Sequence, residues 1–260
     1  MDYKKLFDFT GMKAVVVGGG GGIGGGIAEG FSAVGMKVAI VGRTLSKLEK
    51  KAAEIEEKTG NKVLCFAADT SDEAAVEQMS AAAIEALGGI DVLVNSQGVN
   101  KKFSALEHPM PEWDEMFNAN VKSIMLTCKY FGREMVKQKK GRIINISSIG
   151  SVRTKPSDIS VCYGATKGAV DAYSLNLAAG WAQHGITVNC IGPIMTETEM
   201  MKPIFEKNPD LRDGTAARVP LGRIGLPEDC AGIALFLASD AASFVTGQRI
   251  YADGGLMTLQ

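Results

Sequence analysis

Short runs of Val, Ile, Leu and Ala recur along the chain with little polar alternation: KAVVVG at 13–18, KVAIVG at 37–42, KVLCFAAD at 62–69, IDVLVNS at 90–96, GRIINISS at 141–148 and ITVNCIG at 186–192. Runs of this kind read as strands buried on both faces. QRIYADGG at 248–255 supplies a late seventh candidate. The stretches between them carry helical spacing. Ile23, Ile27, Phe31 and Val34 recur at intervals of four, four and three, one face of a helix. Ser46 and Glu49 predict a capping box opening SKLEKKAAEIEEK. Further helices are expected at 73–87, 112–138, 162–183 and 228–238. This alternation predicts an α/β fold: a doubly wound parallel sheet (a Rossmann fold) of about seven strands with helices on both faces.

No Pro/Gly/Ser-rich linker or internal repeat divides the chain, so 1–260 is expected to form a single dinucleotide-binding and catalytic domain. The segment 193–226 is the least regular, with Pro193, Pro203, Pro209 and Pro220 inside it and Pro227 just beyond. It reads as a substrate flap, because long loops in compact domains often act as lids.

Composition narrows the function. With 46% apolar residues among 260, the chain can bury a sizeable core. The net charge is −1 with both signs dispersed, which argues against a nucleic-acid or membrane surface. The opening MDYKKLFDFTGM has no long apolar stretch, so no leader or membrane span is expected. Five widely spaced cysteines without a CxxC pair fit a reducing cytoplasm rather than a disulfide framework. His108 and His184 have no ligand-like neighbours, so no metal site is expected.

The chemistry starts at residues 18–26, where eight glycines are interrupted only by Ile23. They fall where the first strand turns into the first helix. Unpaired N–H groups and a positive dipole end attract an anion there, and glycine lets the backbone approach a pyrophosphate. GxGxxG fits at Gly19, Gly21 and Gly24, whereas GxxxGxG fits at Gly18, Gly22 and Gly24. The second register is preferred because it begins directly after the strand and keeps Ile23 facing the core. Gly25 and Gly26 lie within the helix, where glycine costs about 1 kcal/mol each against alanine, so Gly26→Ala is expected to stabilise the cofactor-free protein. At the end of the second strand, Gly42 occupies the position of the acid that binds a ribose 2′-hydroxyl, and Arg43 follows. An arginine there suits a 2′-phosphate, which favours NADP while leaving NAD possible.

Taken with these features, the chain resembles the short-chain dehydrogenase/reductase family almost end to end. Gly18, Gly22 and Gly24 match its TGxxxGIG turn, with Val17 in place of Thr. NSQG at 95–98 stands where the family has NNAG. NANV supplies Asn120, INISS supplies Ser148, and YGATK supplies Tyr163 and Lys167 as YxxxK. VNCIGP leads to the family's PG turn, with Ile194 replacing Gly, and VTGQRIYADGG matches its C-terminal signature. The resemblance implies hydride transfer between NAD(P) and an alcohol or ketone, with Asn120, Ser148, Tyr163 and Lys167 as the catalytic set. It places Gly18, Gly22, Ile23 and Gly24 at the pyrophosphate, Asp69 and Thr70 at the adenine, and Asn95 and Gly98 at the ribose. Tyr163, Lys167, Pro193, Thr196 and Thr198 complete the cofactor side. It also implies a homo-oligomer, a tetramer built on the helices at 112–138 and 162–183.

The residues support that chemistry directly. Tyr163 and Lys167 are one helical turn apart on one face. A nearby ammonium is expected to lower the phenol's pKa and allow it to exchange a proton with the substrate oxygen, while the Ser148 hydroxyl steadies that oxygen's charge. Ser148 stands fifteen residues before Tyr163, two more than the usual family spacing, which assigns two extra residues to the loop VRTKPSDIS; Ser147 and Ser151 are its rivals. Lys101, Lys102, Arg153 and Lys155 are expected to flank the nicotinamide end, where they either attract an anionic substrate or remain solvated loop charges. The opening LFDFTGMKAVVVGG resembles members acting on sugar acids such as gluconate and also 3-oxoacyl-carrier-protein reductases. A catalytically weak cofactor-binding regulator or scaffold of the same fold is the alternative reading.

Overall fold

A computed structural model describes residues 2–154, 157–199 and 201–259. Seven parallel strands form one sheet: β1 (Lys13–Val17), β2 (Lys37–Gly42), β3 (Val63–Ala67), β4 (Val92–Asn95), β5 (Gly141–Ile146), β6 (Ile186–Pro193) and β7 (Arg249–Ala252), in spatial order β3-β2-β1-β4-β5-β6-β7. The strand order reverses beside β1, at the β1/β4 junction, and in such sheets the ligand crevice opens there, outside the carboxyl ends of the strands.

Helices α1 (Gly22–Ala33), α2 (Leu45–Thr59) and α9 (Pro227–Ala238) cover one face. Helices α3 (Glu73–Leu87), α5 (Ser123–Gln138) and α6 (Val161–Trp181) cover the other. β1 divides its side chains between them: Ala14 and Val16 join Ile27 and Phe31 in one core, while Val15 and Val17 join Val76 and Phe131 in the other. That two-sided burial is why the strand lacks polar alternation. Edge strands β3 and β7 are only partly buried.

Three local expectations need correction. The helix α2 begins at Leu45 with Thr44 as its cap residue, and no side chain caps it, so Ser46 and Glu49 form no capping box. The reason is local: Lys47 and Leu48 both donate backbone N–H groups to the Thr44 carbonyl, which starts the helix before Ser46. The expected helix 112–138 is α4 (Met110–Phe117) and α5 joined by a π-helical turn, Asn118–Lys122. The segment 193–226 contains two short helices, α7 (Lys202–Lys207) and α8 (Pro209–Ala216). Pro203 stands second in α7 and Pro209 first in α8, within the opening turn where a missing N–H costs nothing. Pro227 opens α9 in the same way.

Candidate active site

Between β1 and α1 the backbone folds back on itself so closely that side chains are excluded. A Cβ on Gly18 would lie 2.7 Å from the Gln97 amide nitrogen, and one on Gly24 would lie 2.4 Å from the Gly18 carbonyl oxygen. Gly22 has a φ of +56°, a left-handed conformation that any other residue adopts with strain, and Thr198 faces the space its Cβ would fill. The N–H groups of Gly22, Ile23 and Gly24 open α1 without intrahelical partners. Together they form a backbone anion cradle, which fits a dinucleotide pyrophosphate. The run continues for a different reason. A Cβ on Gly26 would lie 2.5 Å from Pro227 Cβ, and one on Gly30 would lie 3.2 Å from Ala231 Cβ. Gly26 therefore lets α1 and α9 approach each other, and the expectation that alanine stabilises this position is corrected by that contact.

The carboxyl ends of the neighbouring strands border the cradle. Arg43 is exposed just past β2, beside the bare Gly42. Asp69 is exposed past β3, and its carboxyl is held below the usual range by bonds from the Ser71 hydroxyl and amide, with a smaller pull from Arg43. Thr70 is buried beside it. Asn95 is fully buried: its Nδ2 donates to Asn145 Oδ1 at 2.8 Å, and Thr127 Oγ1 donates to its Oδ1 at 2.7 Å. Its side chain therefore joins β4 to α5 and β5. Gly98 is packed against Asn120, where a Cβ would lie 2.9 Å from Asn120 Oδ1 and 3.8 Å from Lys167 Nζ.

The polar centre draws on three elements: the π turn, α6 and the turn that follows β5. Asn120 lies in the π turn, fully buried; its Oδ1 accepts from the Val99 amide at 2.7 Å, and its Nδ2 donates to the Val99 carbonyl and to Thr166 Oγ1. π turns of this kind re-aim groups at functional sites. On α6, Lys167 Nζ donates to the Ile146 carbonyl at 2.8 Å and stands 5.8 Å from the Tyr163 ring centroid. Ser148 caps a 3₁₀ turn, Ile149–Ser151, accepting from the Gly150 amide at 3.0 Å, and its hydroxyl faces the Tyr163 side chain across Gly150. Of the two rivals, Ser147 Oγ is buried without a partner and Ser151 Oγ donates to the Ser148 carbonyl, so neither meets the phenol. Burial pushes the phenol of Tyr163 above its ordinary value, and the nearby Ser148 hydroxyl opposes this only in part. The expected lowering by Lys167 is corrected: the phenol stands above its ordinary value, and burial sets the direction. Burial also pushes the Lys167 ammonium down to about 8.

Comparison with known proteins identifies the family that carries this arrangement. A protein-family model described as enoyl-(acyl carrier protein) reductase matches residues 18–257. Galactitol 2-dehydrogenase (L-tagatose-forming) of Cereibacter sphaeroides is 36% identical over 257 residues, covering 98% of each chain. The chain belongs to the short-chain dehydrogenase/reductase family. It is an NAD(P)-dependent oxidoreductase. The 3-oxoacyl-[acyl-carrier-protein] reductase of Chlamydia muridarum is 35% identical over 94% of this chain and 96% of its own. The crystal structure of a gluconate 5-dehydrogenase from Burkholderia cenocepacia in complex with NADP and tartrate matches with a TM-score of 0.90 and 30% identity, covering 98% of this chain and 99% of that one.

In this dehydrogenase/reductase, the start of the segment 193–226 lies beside the glycine turn. Pro193 ends β6, buried Thr196 donates from Oγ1 to the Ile194 carbonyl, and Thr198 lies over Gly22. The four expected cations do not converge as one free set. Lys101 is ion-paired with Glu112 and, at 2.6 Å, with Glu115. Arg153 bonds the Leu256 carbonyl. Lys102 is exposed, and Lys155 lies outside the described residues. The sequence reading missed Thr166 and Val99, which hold the Asn120 amide, although Thr166 lies inside the YGATK motif itself. Among the described residues, no cluster of His, Cys, Asp or Glu is arranged to hold a metal, and no helix is long and apolar enough to cross a membrane.

Proposed function

We propose that the protein interconverts a secondary alcohol and a ketone on a polyol or sugar acid, with NADP preferred over NAD and Tyr163 as the acid/base. The convergence of the Ser148 hydroxyl and the Lys167 ammonium around the buried Tyr163 phenol carries this reading. When bound, the nicotinamide supplies or accepts the hydride. Gly18, Gly22, Ile23 and Gly24 hold the pyrophosphate, Arg43 the 2′-phosphate, Asp69 and Thr70 the adenine side, and Asn95 and Gly98 the wall beside the ribose. Pro193, Thr196 and Thr198 close over it, within one catalytic unit spanning 1–260 whose segment 193–226 is the flap.

The remaining steps belong to the side chains. With its pKa raised by burial, Tyr163 is protonated at neutral pH and donates to a carbonyl oxygen; alcohol oxidation needs the phenolate and so accelerates as pH rises. Ser148 donates to the same oxygen as its negative charge grows. Lys167, anchored on the Ile146 carbonyl, holds positive charge beside the phenol. Asn120 fixes the loop at Val99 and, by family resemblance, a water leading from Lys167 to solvent.

Full-length similarity to a galactitol 2-dehydrogenase and a gluconate 5-dehydrogenase supports the substrate class. Unpaired cysteines support a reducing, cytoplasmic setting. An open groove of about 550 Å³ along α5 and α6, lined by Met125, Tyr173 and Trp181, supports assembly of copies through these helices, a homotetramer by resemblance. The test is turnover of galactitol, gluconate and a 3-oxoacyl thioester with both cofactors. Turnover of a polyol or sugar acid with NADP is expected; selective reduction of the thioester reassigns the substrate, and no turnover of any probe favours the regulator.

A further inference from the structure

Asp171 is a buried carboxylate on α6, one helical turn beyond Lys167, with only 7% of its side chain exposed. Its partner comes from the far end of the chain. Arg249, the first residue of β7, brings Nη1 to 3.0 Å from Asp171 Oδ2. That approach lies off the N–H direction, so the carboxylate gives charge and not an aligned bond. The Nη1 hydrogens are directed elsewhere: to Ser151 Oγ at 3.3 Å and to the Tyr251 hydroxyl at 3.2 Å. Ser151 Oγ in turn donates to the Ser148 carbonyl at 2.9 Å. The Tyr251 ring packs where a Cβ on Gly192 would lie, and the Ser148 carbonyl carbon is 3.6 Å from that same point.

This chain of contacts links the helix bearing Tyr163 and Lys167 to the turn bearing Ser148, through the edge strand of the sheet. A guanidinium is suited to the task, because its planar fork reaches several acceptors in fixed directions, and without it the buried carboxylate would keep only the Lys167 ammonium as a charge partner. We propose that Asp171 and Arg249 are positioning residues that hold the Ser148 turn in register with Tyr163 by way of Ser151. The inference rests on the reading of Ser148 and Tyr163 above.

The test compares Arg249→Met, Arg249→Lys and Ser151→Ala with the parent. The crystal structure of Arg249→Met is expected to show the Ile149–Ser151 turn displaced and the Ser148 hydroxyl moved away from the Tyr163 phenol; this arm needs no substrate. With gluconate and NADP as the probe, kcat is expected to fall by up to about a hundredfold, with the NADPH dissociation constant unchanged and partial recovery in Arg249→Lys. In a Ser148→Ala background, Arg249→Met should cost nothing further, because its effect passes through Ser148. An undisplaced turn in Arg249→Met, or an equal loss of kcat with and without Ser148, overturns the proposal. Should Arg249→Met fail to fold, Ser151→Ala cuts the same chain at its middle link, and full kcat in that variant also overturns it. Full kcat in Ser148→Ala alone ends the underlying reading as well, whereas additivity ends only this one.

Discussion

At one end of the cleft, side chains are missing wherever the backbone has to approach closely. At the other end, polar side chains gather, with Asn120 and Lys167 buried and Ser148 and Tyr163 half-buried beside them. The glycine turn works because a Cβ at Gly18 or Gly24 would strike backbone atoms, which leaves the first N–H groups of α1 open to an anion. The proposed acid/base centre draws Asn120 from the π turn, Ser148 from the turn that follows β5, and Tyr163 and Lys167 from α6, with Asn120 held by Thr166 and Lys167 by the Ile146 carbonyl. A backbone site tolerates little change of shape but carries no titrating group. A side-chain site costs stability, because polar groups are taken out of water. The two ends should therefore fail in opposite ways.

Tyr163→Phe should produce the largest separation. It removes the proton donor while keeping the ring, so turnover is expected to drop by about 10²–10⁴-fold, with the cofactor dissociation constant moving only a few-fold. Gly22→Ala should do the reverse, raising that constant through its strained left-handed φ of +56° while sparing kcat at saturating cofactor. Steady-state kinetics and cofactor titrations on both variants check the contrast, and parallel losses in the two would erase it.

Lys167→Met sharpens the stability side. Lys167 titrates at about 8 in the folded protein against 10.5 ordinarily. Between those values the unfolded chain binds more protons, so this group makes stability rise with pH from about 8 to 10.5. Below pH 8 its full cost is present. Removing it should stabilise the cofactor-free protein at neutral pH by about 2–3 kcal/mol, less whatever the Ile146 carbonyl loses with its donor, while crippling turnover. Denaturant melts of both proteins across this pH range test the sign.

What the sequence made legible follows the same division. Strands buried on both faces carry continuous apolar runs, so β1 through β6 and the order of helices between them could be read from local pattern. Asn120, Ser148, Tyr163 and Lys167 stand in short motifs at strand and helix ends. The π turn around Asn120 has no breaker residue to announce it. Glu112 and Glu115 neutralise Lys101 from one face of α4, a relation that only the folded loop creates. Asp171 and Arg249 lie 78 residues apart in sequence and meet only because β7 adds to the sheet edge.

Arg43 tests the cofactor end without disturbing the glycine turn. A charge-assisted contact to a 2′-phosphate contributes about 1.5–3 kcal/mol. Arg43→Ala should therefore weaken NADPH binding by roughly ten- to hundred-fold and leave NADH little changed. Gly42→Asp should reverse the preference by repelling the phosphate and accepting from a 2′-hydroxyl. Leu48 must yield slightly, since its Cδ2 lies 3.3 Å from the new Cβ position. Paired NADPH and NADH titrations decide it; equal weakening of both cofactors in Arg43→Ala would move Arg43 to the adenine.

The smallest expected effect separates two adjacent glycines. Gly25 and Gly26 both lie inside α1, where backbone entropy alone favours alanine. At Gly25 a Cβ would meet the Lys51 side chain, 3.4 Å away at Cε, and the Gly19 carbonyl oxygen at 3.6 Å, both within ordinary contact. Gly25→Ala should therefore stabilise by about 0.5–1 kcal/mol. At Gly26 the same methyl group meets Pro227 Cβ at 2.5 Å and the Pro227 carbonyl carbon at 3.3 Å. Pro227 is the first residue of α9 and cannot rotate away, so the helices must separate or shift. Overpacking of this kind costs about 1–3 kcal/mol, which exceeds the helical gain and makes Gly26→Ala destabilising. Thermal melts of the two variants without cofactor should move in opposite directions. A rise in both would mean that helical cost dominates throughout α1 and that its contact with α9 yields freely.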